Sequence, residues 1–154
     1  MRVVLQRVVR AQATPTASSN IPIASVGKGL VLLCGFEETD SPVSIEQMAQ
    51  KIKSLRVFSD AAGKMNVAGI DVGAQYLLIS QFTLYAECKY GNRPSFDKAA
   101  PKAKAKEYFE HFVKTFGRLL GGENVRSTPF GSDLLIELVN DGPVTIWLDS
   151  NEVL

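Results

Sequence analysis

The sequence predicts an α+β fold: a largely antiparallel, barrel-like β-sheet with two main helices. Three observations carry that reading. Helical periodicity occurs in only two stretches, near residues 42–55 and 101–119. The remaining apolar segments are short, rich in Val, Ile, Leu, Phe and Tyr, and broken by glycine and proline. Strands and helices do not alternate, which argues against a parallel, doubly wound sheet.

Residues 2–13 form the first predicted strand, with Val3, Leu5, Arg7 and Val9 on one face and Val4, Gln6, Val8 and Arg10 on the other. Thr14 to Ser25 contains Pro15 and Pro22, which suits an edge strand because proline has no N–H for a ladder. Gly29 to Phe36 is almost continuously apolar, the pattern of a strand covered on both faces. Ser41-Pro42 supplies an N-cap followed by proline at the first helical position. Ile45, Met48, Ala49, Ile52 and Leu55 then repeat at helical spacing. Val57-Phe58 begins a strand, and residues 59–64 form a turn. Gln75 to Tyr85 is the strongest strand signal. Pro101 opens a second helix, whose stripe is Ala105, Tyr108, Phe109, Phe112, Val113, Phe116 and Leu119, and Gly121-Gly122 ends it. Two last strands, about 133–139 and 144–148, flank an Asn140-Asp141-Gly142-Pro143 turn.

With 154 residues and no linker or repeat, residues 1–154 are expected to form a single domain. The composition is that of a globular protein, 45% hydrophobic and 21% charged. A net charge of +1 gives no global field toward nucleic acid or membranes. Gln6, Arg7 and Arg10 interrupt any signal-peptide core, and no apolar run approaches the roughly 20 residues of a membrane span. Cys34, in an apolar run, and Cys88, in a polar loop, are too few for a disulfide scaffold. The expectation is a cytoplasmic protein with reduced thiols and no membrane partner.

Familiar catalytic machinery is missing. His111 falls off the apolar stripe of its helix and is expected to face solvent, away from any nucleophile it might activate. Two distant cysteines and one histidine fit no zinc spacing, so neither metal nor cofactor is expected. In a strand over 75–85, Ser80, Phe82 and Leu84 would share one face and Gln81, Thr83 and Tyr85 the other. Gln81 and Thr83 then fit either an edge face in water, which the pattern favours, or a strand end presenting hydroxyls and amides to a ligand. Thr83 has no accompanying base. Around Gly142, Asn-Asp-Gly is a hairpin signal, and base rates favour a trans Gly142-Pro143 peptide. Lys89, Arg93, Lys98, Lys102, Lys104 and Lys106 face one acid, Asp97, across residues 89–106. A solvated surface explains them, although lysines in a helix's first turn oppose its dipole and raise the case for a phosphate-facing patch.

Four segments in register, Met1 to Val8, Ser80-Gln81-Phe82-Thr83-Leu84, Arg93-Pro94-Ser95-Phe96 and Asn140 to Thr145, resemble the D-aminoacyl-tRNA deacylases. The resemblance runs from Met1 to about Leu148. It implies a homodimer of that family's fold that hydrolyses the ester joining a D-amino acid, or glycine, to the terminal adenosine of tRNA. It also implies a cis Gly142-Pro143 peptide that reaches into the partner subunit's site, with Val144 and Thr145 completing the gate and Arg7 bracing it. Ser80, Gln81, Phe82 and Thr83 would line the ester, with backbone amides near Phe82 and Thr83 holding the carbonyl oxygen and the tRNA 2′-hydroxyl assisting. Phe130, Gly131 and Leu134 would form the adenine pocket. Two departures stand out: residues 15–22 lack the family's compact acidic-glycine hairpin, and Pro129 and Leu134 replace a basic residue and a methionine common among relatives. The alternative is a nucleic-acid-binding, replication-associated protein of the same fold, against which the near-zero net charge counts.

Overall fold

The structure, a computed structural model, describes residues 1–17 and 21–154. Ser18-Ser19-Asn20, part of the 15–22 segment that departs from the family's hairpin, lies outside the described residues. In chain order the elements are β1 (Arg2–Pro15), β2 (Ala24–Val26), β3 (Gly29–Gly35), α1 (Pro42–Ser54), β4 (Arg56–Ser59), β5 (Met65–Ala68), β6 (Gln75–Ser80), α2 (Lys102–Leu120), β7 (Val125–Ser127), β8 (Leu134–Asp149) and α3 (Ser150–Val153). Single 3-10 turns occupy Gly69–Val72, Phe82–Tyr85 and Gly122–Asn124.

β1 is the spine of the sheet. One of its edges pairs antiparallel with β3, from Arg2↔Gly35 to Val8↔Gly29, and then with β2. Its other edge pairs antiparallel with β8 along nearly its whole length. β6 adds to β3 in parallel and β7 to β6 in parallel, giving a nearly closed, barrel-like mixed sheet. β4 and β5 make a separate hairpin. Antiparallel pairings dominate, as the sequence predicts, but the core of the cleft described below is a parallel pair.

Two apolar clusters fill the molecule. The larger lies between sheet and helices, where Val3, Leu5, Leu30, Leu32 and Leu78 meet Ile45, Met48, Phe112 and Phe116. The smaller, Val8, Ala11, Val31, Leu77 and Ile79, covers the opposite face of the same strands. Residues of β3 and β6 alternate between the two, so both faces are dry and the strands read as continuous apolar runs.

The helices form where local signals place them. Ser41 caps α1 in a capping box with Ser44, and Pro42 follows it. α2 buries Ala105, Tyr108, Phe109, Phe112 and Phe116, with Val113 and Leu119 half-buried beside them, and Gly121 ends it at φ 78°.

Three strand expectations need correction. Val9 does not share a face with Val3. The register with β8 slips between Val8 and Arg10, so Val9 is squeezed out and is exposed, and the alternation of β1 inverts beyond it. The strand expected to reach Tyr85 ends at Ser80, where its partner β3 also ends. The two strands expected to flank a hairpin at 140–143 are one strand, β8, and both halves pair with β1. What looked like a hairpin turn is a bulge.

Candidate active site

The parallel strands β3 and β6 finish together at Cys34↔Ser80, and the last rung is the Gln81 amide donating to the Cys34 carbonyl at 2.7 Å. Beyond it the chain turns off the sheet into Phe82–Tyr85. Tyr85 anchors that turn: it is buried beneath the Arg2 guanidinium, 4.4 Å from its ring centroid. Gly35 lies under the same turn, and a Cβ there would sit 2.8 Å from the Gln81 carbonyl oxygen. Glycine is therefore required for the approach, not for its own backbone angles. Amides at the start of a helical turn have no partner within it, which leaves those of Phe82 and Thr83 available to a ligand.

A cleft of about 600 Å³ opens over this strand end. Ser80, Gln81 and Phe82 form its floor, and Phe130, Gly131, Leu134 and Ile136 form one wall. The Ser80 hydroxyl accepts the Gly131 N–H at 3.0 Å and ties floor to wall. Gly131 adopts φ 70°, a left-handed conformation that suits glycine. Phe130 packs on Phe109 of α2 at 6.0 Å between centroids. Phe82, largely exposed, meets Phe96 edge-on at 5.0 Å. Cys34 lies at the base, where burial pushes its thiol far above the usual range, so it is neutral and poorly nucleophilic. Lys102 and Asp133 supply the only formal charges among the described lining residues.

The second predicted feature lies elsewhere. Gln6 pairs with Thr145 and Val8 with Asn140, so residues 141–144 bulge out opposite Arg7 alone. The Gly142-Pro143 peptide is cis, against the base-rate expectation, and Gly142 has φ 121°. Arg7 is buried beneath the bulge: Nη1 donates to the Val57 carbonyl at 2.6 Å, and Nε makes a 3.0 Å charge contact with Asp141 without hydrogen-bond alignment. Asn140 clamps the neck, accepting the Val144 N–H at 3.0 Å and donating to the Thr145 hydroxyl at 2.9 Å. Gly142, Pro143 and Thr145 are exposed and Val144 is half-buried.

Of the predicted residues, Ser80, Gln81, Phe82, Phe130, Gly131 and Leu134 therefore share one cleft. Thr83 stands beside it, exposed, with its hydroxyl 2.6 Å from Gln81 Nε2. Arg7 and residues 142–145 form a separate feature that does not line the cleft of their own chain. Phe96 stands out in sequence only within the Arg93–Phe96 segment, Lys102 only within the basic cluster, and Asp133 not at all; their lining positions arise from tertiary folding. Of the cationic cluster, Lys98 pairs with Glu87 at 2.9 Å, Lys106 approaches Glu110 at 3.7 Å, and Lys104 lies over the Tyr108 ring. His111 is half-exposed, 3.3 Å from Glu46, and takes no part in the cleft. No helix among the described residues is long and apolar enough to cross a membrane.

Residues 4–149 match the family described as D-Tyr-tRNA(Tyr) deacylase. A D-aminoacyl-tRNA deacylase of Thermomicrobium roseum is 45% identical over 153 residues, covering 99% of this chain and 96% of that protein. One of Chromobacterium violaceum is 45% identical over 150 residues, covering 97% of each. Among solved structures, a c-Myc DNA unwinding element binding protein superposes with a TM-score of 0.88 at 34% identity, over 97% of this chain and 98% of that one. A probable eukaryotic D-amino acid tRNA deacylase, at 16% identity and TM-score 0.77, covers 96% and 97% and shares the fold.

Proposed function

The chain belongs to the D-Tyr-tRNA(Tyr) deacylase family and is a hydrolase of the D-aminoacyl-tRNA deacylase type, and from that premise we propose a backbone-driven mechanism with a gate supplied in trans. The substrate is a D-aminoacyl-tRNA or a mischarged glycyl-tRNA. Its ester carbonyl lies over Ser80 to Thr83 and its terminal adenine against Phe130, Gly131 and Leu134. Water attacks the carbonyl carbon, and the amides of Phe82 and Thr83 hold the oxyanion. The bond to the ribose 3′-oxygen then breaks, and the proton lost by water passes to that oxygen with help from the neighbouring 2′-hydroxyl. One preorganised oxyanion donor is worth about 2.7–4 kcal/mol. An activated ester needs no histidine, metal or cofactor beyond this.

The observation that carries the reading is the separation of the two features. The bulge at 141–144 does not line its own cleft, and Gly142 and Pro143 are exposed. In a homodimer it would enter the partner's cleft, and its carbonyls would face the substrate's α-amino group. An L side chain would then meet fixed backbone, whereas the hydrogen of glycine or of a D-residue's equivalent position would not. Soft apolar pockets discriminate by only about 1–3 kcal/mol per methylene. A wall of fixed carbonyls rejects by clash and by unpaired polar groups. Arg7 braces the wall, and Val144 and Thr145 hold its far side. Residues 1–154 act as one catalytic domain in the cytoplasm, where charged tRNA is found.

The test is hydrolysis of D-tyrosyl-, L-tyrosyl- and glycyl-tRNA by purified protein. Rapid turnover of the D and glycyl esters with the L ester spared is expected; equal D and L rates would sink the gate. The structural likeness to a DNA unwinding element binding protein motivates a second reading, a replication-associated nucleic-acid-binding protein. Duplex-DNA binding at physiological salt, with no esterase activity, would favour it. The net charge of +1 weighs against it.

A further inference from the structure

Lys102 occupies the first position of α2 on the rim of the cleft and is the one cation among the described residues lining it. Its stem passes over Gly131, close enough that a Cβ built on that glycine would lie 3.9 Å from Lys102 Cε. Its neighbours are engaged: Lys98 with Glu87, Lys106 with Glu110, and Lys104 with the Tyr108 ring. No described carboxylate lies within ion-pair distance of Lys102, although Asp133 lines the same cleft. The first turn of α2 also lacks an acid, so the lysine works against the helix dipole without local compensation. An exposed lysine that lines a mainly apolar cleft, placed at some cost to its helix, has the chemistry of an anion site.

We propose that Lys102 binds the phosphodiester joining the substrate's terminal adenosine to the nucleotide before it. The proposal rests on the deacylase reading. With the ester over Phe82 and Thr83 and the adenine against Phe130 and Gly131, the ribose 5′-oxygen is the one remaining exit. The polynucleotide must leave the cleft there. Lys102, crossing Gly131 at the rim, stands beside that exit. The phosphate does not react, so its charge is the same in ground and transition states. Binding of that kind lowers KM and leaves kcat nearly alone.

The experiment compares two small substrates that differ only in the 5′-phosphate: 3′-O-(D-tyrosyl)adenosine and its 5′-monophosphate, alongside D-tyrosyl-tRNA. Wild type is expected to prefer the phosphorylated substrate by roughly tenfold in kcat/KM, the scale of one charge-assisted contact. Lys102→Ala should abolish most of that preference, raise KM on tRNA, and keep the wild-type Tm or exceed it slightly. Lys102→Arg should restore the preference. The salt dependence of KM for tRNA should flatten by about 0.7 in log–log slope, one single-strand phosphate contact. A wild-type enzyme indifferent to the phosphate overturns the proposal. So does a variant that keeps the preference, or one that loses kcat equally on both substrates. Wild type that cleaves none of the three esters would defeat the deacylase reading itself, a distinct outcome.

Discussion

Gly35→Ala tests whether the turn over the strand end is held by close approach. The added Cβ would lie 2.8 Å from the Gln81 carbonyl oxygen, 3.2 Å from Leu84 Cβ and 3.3 Å from Tyr85 Cδ2. The nearest of these is backbone, whose amide is already the last rung to Cys34, so no flexible side chain can swing aside. Restoring ordinary contact requires the turn to lift by about 0.5 Å. Overpacking of this kind costs about 1–3 kcal/mol. In a chain of 154 residues, a loss of about 2 kcal/mol lowers Tm by roughly 4–8 °C. The same lift displaces the amides of Phe82 and Thr83. Losing a whole oxyanion donor costs about 2.7–4 kcal/mol, and a partial displacement should cost roughly 10–100-fold in kcat. Thermal melts and single-turnover deacylation of D-tyrosyl-tRNA measure both. A Tm within about a degree of wild type, together with kcat within about twofold, would refute the argument.

Gly117→Ala is the opposing case. Beyond its chain neighbours and the helix's own backbone, no atom lies within 4 Å of a Cβ at this interior position of α2, so the change should stabilise by about 0.5–1 kcal/mol with deacylation unaltered; a lower Tm would show hidden crowding. Thr83→Ala should keep most of its kcat, because the proposed donor is the backbone and the hydroxyl merely meets Gln81 Nε2. Complete loss of activity in a folded variant would revive a nucleophilic threonine. Asp149 sets an acid limit. Burial pushes its carboxyl up, but the Arg2 hydrogen bond at 2.8 Å, the Asn151 amide and nearby positive charge outweigh it and hold the value below the ordinary 3.8. A carboxyl lowered by folding adds stability above its unfolded value and loses it as pH falls through the folded one. Asp149→Asn should therefore lower Tm at neutral pH and flatten its decline below about pH 4. An unchanged acid limb would count against the pair.

Legibility followed the range of each signal. The two long helices are legible because capping and amphipathic spacing are local, whereas the four-residue α3 carries no such stripe: Ser41-Pro42 marks one start, and Tyr108, Phe112 and Phe116 mark one face. β3 was readable because dryness on both faces leaves an unbroken apolar run. The strand expected over 75–85 overruns β6 because Phe82 and Leu84 continue an apolar pattern, while the feature that stops it, the end of β3 at Gly35, is distant in sequence. At Asn140-Asp141-Gly142 the turn signal is real, but both flanking halves find the same partner at the other end of the chain. Local chemistry cannot distinguish a hairpin from a bulge when the deciding strand is remote. The cleft has the same origin: residues near 34, 80, 96, 102 and 131 meet only after folding.

The bulge in β8 has its ends fixed by one continuous ladder, Gln6↔Thr145 on one side and Val8↔Asn140 on the other. A surface loop joining two mobile elements drifts with both of them. Here two rungs of the same rail set the span, and the Asn140 clamp closes it at the base. Residues 141–144 are thus anchored at both ends, while Gly142 at φ 121° and Asp141 beside the buried Arg7 restrict what can stand there. The place of the bulge is therefore set by the barrel, through β1, and not by the segment itself.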